Sequence, residues 1–220
     1  MYKRQELIDT NGSGVERITE NGVLAGGKEH EVDCIIFATG FEVGTSYVRR
    51  SGYDVTGTHG ITLSEKWADG MRTLHGVMTN GFPNLFIISN SQAGFTTNFP
   101  HAMDETSRHI GYMLKQCEKE QLSSIEASME SEDKWVEEII SVSRFASDFQ
   151  ESCTPGYYNN EGKPREHFEQ MVSYGDGPVL LFILLTKWRD AGGFSGLNIT
   201  LISVIKGRLT PSGSHPASTG

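Results

Sequence analysis

Cysteine is scarce in this chain: Cys34, Cys117 and Cys153 form an odd, scattered set with no Cys-x-x-Cys spacing. That argues against a disulfide framework or a zinc site and fits free, buried thiols in a reducing cytoplasm. Long apolar runs are missing too. The strongest, Val179 to Leu185, is far shorter than the ~20 residues a bilayer requires, and Met1-Tyr2-Lys3-Arg4-Gln5-Glu6 has no apolar core of a signal peptide. Positive charge is in deficit, with 19 Lys+Arg against 28 Asp+Glu and a net charge of −9. Such a field argues against nucleic acid or an anionic membrane as the main partner. Apolar residues make up only 37% and glycines number 25, yet 220 residues suffice to bury a core in one large domain or two small ones. No Gly-x-Gly-x-x-Gly occurs anywhere in the sequence.

What is present is organised around Asp33-Cys34-Ile35-Ile36-Phe37-Ala38-Thr39-Gly40-Phe41. Cys34 to Ala38 has the composition of a strand buried on both faces, and Gly40 tolerates the positive φ that lets backbone approach whatever lies beyond the strand's carboxyl end. In open α/β sheets ligands bind at that end. Ahead of it, Val15 to Thr19 and Val23 to Ala25 predict strands joined by a Glu20-Asn21-Gly22 hairpin signal, with a further turn at Gly26-Gly27. Gly12-Ser13-Gly14 is a loop, because Arg17 stands where a nucleotide fingerprint needs a third small residue.

From Glu42 to Asp69 the pattern predicts a long loop with a short strand ending at Ile61-Thr62-Leu63. Its Arg49-Arg50 pair is solvated or touches a phosphate. Leu85 to Ile88 predicts a second buried strand, running into a small, polar loop from Ser89 to Pro100 and then a helix from Pro100 to Lys119. That helix carries Met103, Ile110, Met113, Leu114 and Cys117 at helical spacing, and His101 in its first turn is a surface or capping residue. Residues 118 to 138 read as an amphipathic helix with a solvated acidic face, a carboxylate metal site being the lesser alternative. Pro178 to Ala191 predicts a last helix with a buried apolar half, Leu197 to Ile205 a final strand, and Gly207 to Gly220 a disordered tail.

The Asp33 to Phe41 strand resembles the one that, in two-dinucleotide-domain flavoproteins, closes the NADPH domain and returns the chain to the FAD domain. Leu74-His75-Gly76-Val77, followed by Gly81-Phe82-Pro83-Asn84-Leu85-Phe86, resembles the second half of Baeyer–Villiger monooxygenases and their flavin-containing monooxygenase relatives. The resemblance spans roughly residues 6 to 200. It implies an α/β chain with a partial two-dinucleotide-binding-domain flavoprotein fold and a helical carboxy-terminal segment. Residues 1–40 would end the NADPH-binding domain, residues 41–206 would form the carboxy-terminal part of the FAD-binding and substrate domain, and residues 207–220 would be the tail.

The same resemblance implies cofactors and a reaction. NADPH reduces FAD, O2 adds, and a flavin peroxide inserts one oxygen atom into a ketone. Ala38, Thr39, Gly40, Gln92, Asn98 and Phe99 are the implied cofactor-binding residues, with Gly94, Phe95, Thr96 and Thr97 lining the substrate pocket. The Ser89 to Pro100 loop delivers backbone N–H groups and a helix amino terminus at one place, which suits the pyrimidine edge of a reduced flavin. A family tryptophan that helps bind NADP is missing where Cys153 stands, ahead of Gly162-Lys163-Pro164; Tyr157 or Tyr158 replaces it or is merely packed. The absent glycine fingerprints, the absent Phe-x-Gly-x-x-x-His-x-x-x-Trp signature and the absent catalytic arginine lead to the expectation of a carboxy-terminal part, inactive alone and able to associate through exposed sheet surface. The other reading, of a different class, is a non-catalytic α/β module that kept the scaffold without the chemistry. No metal site is expected, and the expected location is cytoplasmic.

Overall fold

The computed structural model describes residues 4–38, 46–143, 152, 155–156, 159–160, 162–163, 166–205 and 208–211. These fall into two compact units, residues 1–42 and residues 43–220. Thr39, Gly40, Cys153, Tyr157 and Tyr158 lie outside the described residues.

In the first unit, β1 (Val15–Ile18), β2 (Gly22–Ala25) and β3 (Lys28–Glu31) form an antiparallel meander in sequence order. Gly26 and Gly27 turn at φ +61° and +72°, the paired left-handed conformations a two-residue hairpin requires, and Ala25 faces Lys28 across the turn. β3 carries no apolar pattern, so alternation did not announce it; Lys-Glu-His-Glu suits an exposed edge instead. Gly12 to Gly14 is a loop closed by the Ser13 N–H on the Thr10 carbonyl.

The segment after it departs from expectation. Cys34 to Ala38 is not a strand, and Ile36 and Phe37 are 84% and 74% exposed. An apolar run reports what a neighbour would bury, whereas a strand exists only where its N–H and C=O groups find a ladder. Among the described residues none supplies it. Cys34 is accordingly an exposed thiol rather than a buried one.

The second unit opens with α1 (Tyr47–Ser51), which bears Arg49 and Arg50 in its exposed last turn. The expected short strand is reduced to a single bridge between Thr56 and Thr62. Leu63 instead starts α2 (Leu63–Lys66): the Thr62 hydroxyl accepts from the Glu65 N–H while the Glu65 carboxylate accepts from the Thr62 N–H. Met71 to Thr79 follows as the most continuously buried stretch among the described residues. Leu74 and Met78 bridge across a turn whose central residues, His75 and Gly76, sit at φ +56° and +74°.

Leu85 to Ile88 is half-buried at best and forms no strand; its one backbone tie to this stretch is the Ile87 N–H to the Val77 carbonyl. α3 (Phe99–Lys119) matches the expected helix. Its buried stripe is Ala102, Thr106, His109, Ile110 and Met113, while Leu114 is exposed. β4 (Leu122–Ala127) interrupts the acidic stretch expected to be all helix, and α4 (Met129–Val142) begins beyond it, capped by Ser128. Nor is the acidic face wholly solvated. Glu132 is 1% exposed, accepting from Lys66 Nζ at 2.9 Å and from Thr79 Oγ1 and the Asn80 N–H at 2.6 Å each.

α5 (Pro178–Asp190) ends at Gly192 and Gly193, both at positive φ. Only Leu181 and Leu185 of its apolar half are buried, and Val179, Leu180 and Ile183 face outward. β5 (Leu197–Ile205) pairs antiparallel with β4, and on its other side with β6 (Arg208–Pro211), so those four residues are strand where a disordered tail was expected. Asn84 closes the free edge of β4 by exchanging hydrogen bonds with the backbone of Ser123 and Ile125. Two apolar cores result. One joins Leu74, Val77 and Met78 to α3 and β4; the other joins α4 to α5 through Trp135, Ile139, Leu181 and Leu185. Among the described residues no helix is long and apolar enough to cross a membrane, and no group of three or more metal-ligating side chains converges.

Candidate functional site

The loop from Ser89 to Pro100 has a buried half and an exposed half. Gln92, at φ +56°, is wholly buried, and its amide is spent inside the protein. Nε2 donates to the carbonyls of Met71 at 2.6 Å and Gln170 at 2.8 Å, and Oε1 accepts from Thr73 Oγ1. Its backbone N–H donates to Val172 at 2.7 Å, and its carbonyl accepts from Trp135 Nε1 at 3.2 Å. Both amide protons are thus engaged and the amide oxygen accepts from Thr73, so the Gln92 side chain holds the loop from behind. The side chain expected among the cofactor contacts is thus buried and bonded to Thr73 and to the backbone of Met71 and Gln170.

Ala93 and Gly94 are buried as well. The Ala93 carbonyl accepts from the Tyr174 N–H at 3.0 Å, and a Cβ on Gly94 would lie 2.9 Å from Phe182 Cε1. Gly94 therefore lies against α5, as packing rather than as an open pocket wall. Beyond it the chain emerges. Phe95 and Phe99 are 55% and 45% exposed, Thr97 and Asn98 are exposed, and Thr96 is half-buried. Asn98 caps α3 through its side-chain oxygen on the His101 N–H at 3.4 Å, and its own N–H donates to Thr96 Oγ1. Of the expected site residues, Phe95 to Phe99 form one outward rim at the amino terminus of α3. Ala38, exposed, belongs to the first unit. His101 is exposed and meets the ring of Phe182 edge-on at 5.3 Å. Beside it a cavity of about 370 Å³ runs between α3 and α5, lined by His101, Glu105, Phe182 and Ile183 among others.

Behind the loop lies a polar cluster that the sequence reading did not single out. His75 Nδ1 is 3.2 Å from His109 Nε2, and His109 Nδ1 is 3.4 Å from Arg189 Nη1. Trp135 and Trp188 meet the His75 ring at near-right angles, with centroids 5.0 and 5.3 Å away. Burial pushes the His75 imidazole down to about 3, with the neighbouring His109 adding to the effect. Burial, and then the Arg189 charge, push His109 down to about 4. Both rings are neutral at pH 7. His109 could have been noticed as the titratable member of the buried 102-106-109-110-113 stripe of α3; nothing local ties it to His75, 34 residues away.

No protein-family model matches the chain. Individual relatives do. Neopentalenolactone D synthase of Streptomyces avermitilis is 46% identical over 195 residues, covering 88% of this chain and 33% of that protein. A Baeyer–Villiger monooxygenase of Penicillium patulum is 45% identical over 166 residues, 73% of this chain and 27% of the relative. Among solved structures, the polycyclic ketone monooxygenase of Thermothelomyces thermophila superposes with a TM-score of 0.77 at 32% identity, over 88% of this chain and 32% of that one. A cyclohexanone monooxygenase of Rhodococcus sp. Phi1, at 24% identity and a TM-score of 0.68, shares the fold over 88% of this chain and 35% of that one. The chain therefore belongs to the Baeyer–Villiger-type, FAD-binding monooxygenases and spans about a third of the length of the curated relatives it matches.

Proposed function

We propose that this chain forms the flavin-facing rim and part of the substrate pocket of an FAD- and NADPH-dependent monooxygenase that inserts one atom of O2 beside the carbonyl of a ketone. One observation carries the reading: the loop is fixed from behind by Gln92 and Gly94 and turns Phe95 to Phe99 outward at the start of a 21-residue helix. The first N–H groups of such a helix lack intrahelical acceptors and sit at its positive end, which favours the electron-rich pyrimidine edge of a flavin.

The residues fit that edge and not the rest of FAD. The described helices begin at caps Ser46, Thr62, Asn98, Ser128 and Gly177, and none opens from a Gly-x-Gly-x-x-Gly turn that would cradle a diphosphate. The diphosphate of FAD, and that of NADPH, would be held by other parts of the enzyme. Bound FAD supplies the oxygen activation. This chain's residues position and shape: Asn98 caps α3 and thereby orients the Phe99 N–H, and Phe95, Thr96 and Thr97 form the wall a ketone meets; Ala38, Thr39 and Gly40 keep their proposed role as cofactor contacts on the strength of the family resemblance alone.

The reading is tested by grafting residues 6–200 in place of the matching third of neopentalenolactone D synthase. The chimera should retain FAD and consume NADPH in a ketone-dependent way with lactone formed. A chimera that folds and holds FAD yet yields no oxygenated product with any of a panel of ketones would overturn it and favour the non-catalytic module.

A further inference from the structure

We propose that Arg189, His109 and His75 form a directional hydrogen-bond relay that positions the Gln92–Gly94 bend. The direction follows from what each group can do. A guanidinium has donors and no acceptor, so at 3.4 Å His109 Nδ1 must be the bare, accepting nitrogen. The proton of neutral His109 is then on Nε2, which donates across 3.2 Å to His75 Nδ1. Arg189 on α5 therefore sets the tautomer of His109 on α3, and His109 sets that of His75.

His75 is where the relay becomes mechanical. It is a buried, non-glycine residue at φ +56°, a conformation that persists only where the surroundings hold it. The next residue, Gly76, touches the bend directly: a Cβ there would stand 2.8 Å from both Ala93 Cβ and the Gln92 carbonyl oxygen. Trp135 bonds that same carbonyl while its ring meets His75 at 5.0 Å. A turn fixed at His75 thus presses Gly76 onto the back of the bend. The relay stands apart from any flavin role for the loop, and its test contains no flavin.

Hydrogen exchange in the 220-residue chain reads it out at the Gln92 N–H, bonded to Val172, and the Tyr174 N–H, bonded to Ala93. Arg189→Met and His109→Phe should each speed exchange at these two amides by about tenfold while the β4–β5 ladder stays protected. His109→Gln, whose side-chain N–H can still reach His75, should restore slow exchange, as loss of packing alone would not allow. Nitrogen-15 spectra of histidine-labelled chain, taken by magic-angle spinning so that association does not matter, should show His109 protonated at Nε2, with an Nδ1-protonated form appearing in Arg189→Met. An Nδ1-protonated His109 in the unaltered chain overturns the relay. So does wild-type exchange in Arg189→Met, or a Gln variant that exchanges as fast as a folded Phe variant.

Discussion

Lys66 Nζ lies 2.9 Å from a carboxylate oxygen of Glu132, a residue 1% exposed and 66 positions away in sequence. The other oxygen of the same carboxylate accepts from Thr79 and Asn80. One acidic group therefore joins α2, the buried Met71–Thr79 stretch and α4. Removing one partner of such a pair strands a buried charge or buried donors, at about 3–5 kcal/mol. Glu132→Ala should lower stability by that order in urea unfolding, and Glu132→Gln, which keeps an acceptor for Thr79 or Asn80, by less.

The buried histidines make stability depend on pH in a defined window. Unfolded, each titrates near 6.5; folded, His75 is pushed down to about 3 and His109 to about 4. Between those values the unfolded chain binds protons that the native one excludes, so stability is full above pH 6.5 and is lost as pH falls towards 4. Each histidine contributes a slope of about 1.4 kcal/mol per pH unit, and the pair up to twice that. Urea midpoints at pH 7.5, 6 and 5 measure it, and His109→Gln should roughly halve the slope. Among the described residues the groups facing the pair are Arg189 and the rings of Trp135 and Trp188, and none of these is a carboxylate that would offset the loss.

What the sequence made legible, and what it did not, follows the range of each signal. α3 and α5 were readable because Pro100 and Pro178 mark their starts, Gly192-Gly193 marks the end of one, and apolar residues recur at helical spacing between. That Ser89 to Pro100 is a loop leading into α3 followed from its small, polar composition ahead of Pro100. β4 was hidden by Ser123, Ser124 and Glu126 within an acidic stretch; its burial depends on β5, some seventy residues on. The Thr62-x-x-Glu65 capping box was a local signal, present but passed over. The buried bonding of Gln92 and of His75 was not legible, although both residues stood in stretches singled out by resemblance, because their partners, Gln170 and His109, lie 78 and 34 residues away.

Gly94 separates packing from pocket. With Phe182 Cε1 at 2.9 Å from where a Cβ would sit, Gly94→Ala forces α5 or the loop to shift, at about 1–3 kcal/mol. Phe182→Ala should relieve most of that cost, so a double-mutant cycle would show strong coupling. Additive effects in the cycle would mean that the two residues do not touch.

Flavin retention tests how the cofactor is shared. In folds of this kind the diphosphate at a glycine-rich helix start dominates dinucleotide binding, and this sequence has no such turn. The 220-residue chain incubated with FAD should leave gel filtration colourless. A yellow product with stoichiometric flavin would show that the rim binds far more of the cofactor than its edge.

The position of Phe99 gives the sharpest test of the rim. It is the first residue of α3 and is followed by Pro100. Proline is well tolerated at this helix position, so Phe99→Pro should keep the helix while deleting one N–H. If that N–H meets the pyrimidine edge of the flavin, its loss weakens the reduced, negatively charged cofactor more than the oxidised one. A bond to a charged acceptor contributes about 1.5–3 kcal/mol, so coupling of NADPH consumption to oxygenated product should fall by about tenfold or more in the grafted enzyme. Phe99→Leu keeps the N–H and changes only the side chain, which is 45% exposed. It should preserve coupling and shift the range of ketones accepted. Wild-type coupling in a well-folded Phe99→Pro enzyme would remove Phe99 from the flavin site, whereas equal loss of coupling in both variants would trace the effect to the phenyl ring instead of the backbone.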